Sequence, residues 1–149
     1  MIGLDEFLER FCRIAADRAP RGFPRNPRDR EILMQSFAMR LDSGRTYSEA
    51  EINSALRRWK REIAPAIETD HVTLRRILVD RGRLERSADG SVYRLGFPSR
   101  TVAFDLEIWE LDLRATVAAY RAQLEDKKRS RGHGCLPTRS LARDAPRRE

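Results

Sequence analysis

Only two cysteines occur in the 149 residues, Cys12 and Cys135. One falls in an apolar helical pattern and the other in a polar terminal stretch. A disulfide scaffold is therefore not expected, and a reducing cytoplasm is the expected location. No apolar run approaches the roughly 20 residues that a membrane-spanning helix needs, and acids interrupt the first residues from Asp5 onward, so neither a membrane anchor nor a secretory leader is expected. The sequence has no glycine loop of the kind that cradles phosphate and no nucleophile-elbow glycine pattern. Its carboxylates fall mostly at helix starts and polar faces, so neither enzyme activity nor a cofactor is expected. His133-Gly-Cys135 is half of a metal pair, but zinc takes about four ligands and no second pair accompanies it. No metal site is expected there or at His71, a lone histidine that reads as a cap or packing residue. Internal repeats are missing too: Gly22-Phe-Pro-Arg25 and Gly96-Phe-Pro-Ser99 recur once, as similar turn chemistry.

Charge is abundant instead. Charged residues make up 36% of the chain and the formal net charge is +7, while 40% hydrophobic residues suffice for a modest core in one domain. A basic balance suggests an acidic partner, with nucleic acid the commonest. Its distribution weakens that inference. Residues 126–149 carry eight Lys/Arg against three Asp/Glu, and residues 21–125 carry 19 against 16. Most of the excess is in the C-terminal stretch.

Residues 1–18 read as an amphipathic helix, with Leu4, Phe7, Leu8, Phe11, Ile14 and Ala15 at three- and four-residue spacing. Three prolines and a glycine make residues 19–27 a linker. A second helix is predicted from near Arg28 to Leu41. Ser48-Glu-Ala-Glu51 is a capping box, with Tyr47 and Ile52 at the staple positions, and its helix runs through Leu56 and Trp59 toward Ile63. A further helix starts with Thr69 or Asp70 as cap, buries Leu74, Ile77 and Leu78, and stops at Gly82. Leu84–Arg86 and Val92–Leu95 are short strands around Asp89-Gly90. From 99 to 129 two patterns compete: Val102, Phe104, Leu106 and Ile108 alternate as a strand would, whereas Leu106, Trp109, Leu113, Val117, Tyr120 and Leu124 follow heptad spacing. The heptads, with acids early and Lys127-Lys128-Arg129 late, predict a helix from about Asp105 to Lys128. Residues 130–149 lack periodicity and are expected to form a disordered basic tail.

The fold class expected from this order is mostly α: a winged helix-turn-helix core at 28–98, of three helices and a β-hairpin wing, with added N- and C-terminal helices. The expected core is Leu33, Phe37, Ile52, Leu56, Leu74, Leu78, Leu84 and Tyr93.

Phe23-Pro-Arg25, Tyr47-Ser-Glu-Ala-Glu-Ile-Asn53, the Asp70–Gly82 segment with Thr73-Leu-Arg-Arg76 and Leu78-Val-Asp80, and Asp89-Gly90-x-x-Tyr93 together resemble the bacterial family known as domain of unknown function 2087. About half the chain is covered. The resemblance implies a winged-helix-like fold and a regulatory context, because similar domains occur alone or joined to helix-turn-helix domains in proteins read as transcriptional regulators. It implies no catalytic residues.

On the 70–82 helix, Thr73, Arg75 and Arg76 lie off the core face and can reach base edges or phosphates. Arg83, Arg86 and Arg94 in the wing can neutralise phosphates. The competing assignment pairs Arg75 and Arg76 with Glu68, Asp70 or Asp80, and two outward valines, Val72 and Val79, suggest a helix packed on that face. The expected function is therefore a DNA-binding transcriptional regulator with duplex DNA as partner. The alternative is a non-catalytic interaction or adaptor module whose basic tail alone attracts nucleic acid. A homodimer is expected through the C-terminal helix, which also covers the core.

Overall fold

A computed structural model describes residues 1–97 and 103–134 of the chain. Helix α1, Leu4–Ala16, turns Phe7, Phe11, Cys12, Ile14 and Ala15 inward, following the apolar spacing of its sequence. Burial pushes the Cys12 thiol up, away from the thiolate that reacts. The proline-rich linker before Pro27 forms no helix or strand of its own and is tied down by a bridge between Arg21 and Ile67 and by the Phe23 amide. Helix α2, Pro27–Ala38, starts on the Asn26 side chain, which accepts from the Arg28 and Asp29 amides, with proline at the first helical position. Every residue from Ile32 to Ala38 is buried, so this helix lies at the centre of the fold. Its buried Ser36 donates to the Leu33 carbonyl at 2.6 Å and accepts from the Trp59 indole N–H at 2.9 Å.

Three short strands follow in the chain: β1, Thr46–Ser48, then β2, Leu84–Arg86, and β3, Val92–Leu95. They form one antiparallel sheet in the order β1-β3-β2, with Tyr47 opposite Tyr93. Strand β1 is absent from the sequence reading, which made Tyr47 a staple residue. Three residues are too few for period-two alternation to register, and the partner strand lies more than 40 residues on.

Helix α3, Glu49–Glu62, opens with the expected capping box. Ser48 Oγ accepts from the Glu51 amide at 3.1 Å, and the Glu51 carboxylate accepts from the Ser48 amide at 2.8 Å. That amide is the main reason the Glu51 carboxyl stays below its usual range. Helix α4, His71–Asp80, takes Asp70 as its cap. Thr69 serves the linker instead, its hydroxyl accepting from the Phe23 amide at 3.2 Å. At the other end Gly82 sits at φ 76°, its amide bonds the Val79 carbonyl, and the Arg83 amide bonds the Leu78 carbonyl at 2.8 Å. This crossed pair is a Schellman stop, and it requires the left-handed backbone that glycine adopts without strain.

The single helix expected over Asp105–Lys128 is two pieces. Leu106–Glu110 form a 3-10 helix, Leu111 is extended, and α5 runs Leu113–Gly134. A long-range bridge holds the chain just before the first piece. The Ile2 amide donates to the Ala103 carbonyl at 2.8 Å, and the Asp105 amide donates back to the Ile2 carbonyl at 3.1 Å. Asp105 is held extended by this bridge and does not cap. Asp112 caps in its place, accepting from the Ala115 amide at 3.1 Å. The expected tail is helical up to Gly134, and residues 135–149, with Cys135, lie outside the described residues.

The elements form a mostly helical fold around a small antiparallel sheet. α1 packs on α2 and α5, while α3 packs on α4 and β1, and α4 on β2. All eight residues expected in the core are buried, and Phe37 meets Trp59 edge to face at 6.2 Å. No described helix is long and apolar enough to cross a membrane.

Candidate nucleic-acid interface

Successive residues of a helix are about 100° apart, so with Leu74 and Leu78 buried, Val72, Thr73 and Arg76 of α4 turn outward. Thr73 and Arg76 are exposed, and Val72 is 38% exposed. Among the described residues no carboxylate lies within ion-pair distance of Arg76. A cleft of about 130 Å³ is lined by Val72, Arg75, Arg76, Val79 and Asp80 of α4, by Arg86 of β2 and by Tyr93 of β3. Arg86 is exposed as well, also without an ion-pair partner among the described residues.

The connection between α4 and β2 fixes this approach. The Gly96 amide donates to the Arg83 carbonyl at 2.8 Å, and a Cβ at Gly96 would lie 2.2 Å from the Gly82 carbonyl oxygen. The backbone after β3 therefore runs in contact with the turn that ends α4. The tip of the hairpin is held by Asp89, which accepts from the Ser87 hydroxyl at 2.7 Å, the Ser91 hydroxyl at 2.8 Å and the Ser91 amide at 3.1 Å. These bonds, that of Ser87 first, bring its carboxyl down to about 2.

Of the six residues nominated from sequence, Arg83 and Arg94 do not share this edge, and Arg75 lines the cleft while it is held by α3. Arg83 is 6% exposed: Nη2 meets Glu31 at 2.9 Å, Nη1 donates to Gln35 at 3.1 Å, and the guanidinium lies 5.7 Å from the Phe104 ring. The left-handed turn at Gly82 sends this side chain back against α2, so it braces the hairpin and does not face solvent phosphate. Arg75 is half-buried; it donates to Asn53 and stands 3.6 Å from Glu49, both on α3, and 5.9 Å from the Tyr93 ring. Its acid partner is thus none of Glu68, Asp70 or Asp80. Arg94 is exposed, but it pairs with Glu85 at 2.7 Å, and its register opposite Glu85 and Thr46 puts it on the sheet face away from Tyr93 and Arg86. Arg75, Arg76 and Arg86 line the cleft together, and Thr73 is exposed on α4 outside that lining. The helix expected over Val72 and Val79 is not the C-terminal one, which packs on α1.

Glu31, Gln35, Glu49 and Asn53, which hold the two inward arginines, were missed by sequence reasoning. Their spacing on α2 and α3 is visible in the sequence, but which arginine each meets depends on pairs 22 to 52 residues apart. His71 is half-buried at the first position of α4, its Nε2 3.5 Å from Arg57 Nη1. Among the described residues no three His, Cys, Asp or Glu side chains are grouped to hold a metal ion.

Residues 21–95 match a protein family described as uncharacterized protein conserved in bacteria, DUF2087. The match runs from the linker to the end of β3; it takes in the whole edge formed by α4 and the hairpin and leaves out α1 and α5. No curated protein and no solved structure matches the chain.

Proposed function

Because the chain belongs to DUF2087, a bacterial family whose description assigns no activity, we propose its function from geometry: it binds duplex DNA through α4 and the β2-β3 hairpin, as a winged-helix transcriptional regulator. The observation that carries this reading is the pair Arg76 and Arg86, one on the outer face of a helix and one on the adjoining hairpin, both exposed and lining one cleft. The element order α2, β1, α3, α4, β2, β3, with β1 pairing to β3, supports the winged-helix assignment. In this reading α4 enters the major groove, Arg76 and Thr73 face base edges, and Arg86 neutralises a phosphate.

The apolar strip of Val72 and Val79 in the same cleft favours a second reading, a protein-interaction module. Binding of full-length protein to a duplex selected from a random pool separates the two. Arg76→Ala is expected to weaken the selected duplex by about 1–3 kcal/mol and relax the preference at one position. Lys127→Ala with Lys128→Ala is expected to weaken all duplexes alike, since charge alone acts there. If wild-type protein has no duplex affinity at low salt, the regulator reading fails and the interaction module takes its place.

A further inference from the structure

We infer that a second phosphate-binding ridge lies on α3, built from Arg57 and Arg61, and that it contacts the duplex strand across the groove from the one met by the hairpin. This inference rests on the duplex-binding reading above. Glu49, Asn53, Arg57 and Arg61 follow one another at about one helical turn on α3. The first half of this stripe is occupied, because Glu49 and Asn53 hold Arg75 of α4. The second half is not: Arg57 and Arg61 are exposed, and among the described residues neither has a carboxylate within ion-pair distance.

The two helices run in opposite directions along this contact, since Asn53 meets Arg75 while Arg57, one turn on, meets His71. Arg57 Nη1 stands 3.5 Å from His71 Nε2, so two groups that bear or can bear positive charge are held together. The acid beside them is Asp70, and it is engaged. It accepts from the Thr73 amide at 2.7 Å, which is the main reason its carboxyl lies below the usual range, with smaller contributions from His71 and Lys60. An anion supplied from outside would stabilise such a cluster.

The position of the cluster identifies the anion. Arg86 lies opposite Tyr93, whose hydroxyl stands 3.5 Å from Glu49 at the start of α3, whereas Arg57 lies further along α3, beside the first residue of α4. Eight residues separate Glu49 from Arg57, about 12 Å along a helix axis. The major groove is about 12 Å wide between its two phosphate backbones. A duplex seated on α4 therefore brings one backbone to Arg86 and the other to Arg57 and Arg61.

The test uses the full chain, a labelled random duplex pool and the duplex selected from it, titrated between roughly 50 and 200 mM salt. Arg57→Ala with Arg61→Ala is expected to weaken both duplexes about equally, roughly tenfold at low salt, and to lower the slope of log K against log salt by about 0.9 for each phosphate no longer neutralised. Arg57→Lys with Arg61→Lys should restore the slope, and the unchanged thermal melt of all these variants marks the residues as exposed. An unchanged slope and affinity in the alanine pair, with Arg76→Ala still weakening the selected duplex, overturns the ridge and leaves the functional reading standing. Absence of any duplex binding by wild-type protein overturns both.

Discussion

Arginine has three different uses in this fold, and only surroundings tell them apart. Arg83 is a buried brace on Glu31 and Gln35, Arg75 a half-buried bracket on Asn53 and Glu49, and Arg76 an exposed side chain on the outer face of α4. Removing Arg83 leaves the Glu31 carboxylate without its partner in a site where both side chains are mostly shielded. Arg83→Ala is expected to cost about 3 kcal/mol in urea melts, while Arg76→Ala should stay within about 0.5 kcal/mol of wild type. Equal costs would contradict this division. A second prediction at this scale concerns Glu6. Arg28, with Arg10 beside it, brings the Glu6 carboxyl from 4.5 to about 2. The unfolded chain then binds more protons than the folded one between those values, so the contribution is complete above about pH 4.5 and is lost as pH falls through about 2. The thermal midpoint of wild type should fall more steeply across that window than that of Glu6→Gln. Parallel curves would show that the pair adds nothing to stability.

Among the elements, α5 differs most from its sequence pattern. Its heptad seam is divided by the extended residue Leu111, so the positions that looked equivalent are not. Leu113 and Val117 are buried with α1 beside them, and Arg121 donates to the Ala15 carbonyl at 2.9 Å, closing the C-terminal end of α1. Trp109 and Leu124 stay about two-fifths exposed. A homodimer through this region is therefore a proposal that rests on Trp109 and Leu124, and Leu113 belongs to the fold. Leu113→Glu is expected to unfold the chain, whereas Trp109→Glu should keep its melting temperature and shift a dimer to monomer in sedimentation at micromolar concentration. Wild-type protein that sediments as a monomer would assign the seam to α1 alone.

Across the whole molecule, what the sequence determined by itself was whatever depends on neighbours within a turn or two of chain. The capping box at Ser48 and Glu51, the stop at Gly82, the hairpin around Asp89-Gly90 and the eight core positions were all legible, because caps, turns and apolar periods act over three to eight residues. The candidate site was legible to the extent that the exposure of Thr73 and Arg76 follows from the helical period, whereas strand alternation puts Arg86 on the face of buried Leu84 and its exposure does not follow from it. Tertiary structure decided the rest. It added β1, which exists only because β3 offers it a partner, and it bound the chain around Phe104 to Ile2 and divided the C-terminal pattern at the extended Leu111. It also removed Arg83 from the interface, tied Arg75 to α3 and left Arg57 and Arg61 without an ion-pair partner among the described residues. The physical reason is that a guanidinium or a strand edge takes the strongest partner that packing brings within reach, and whether one is within reach is set by contacts between residues far apart in the chain.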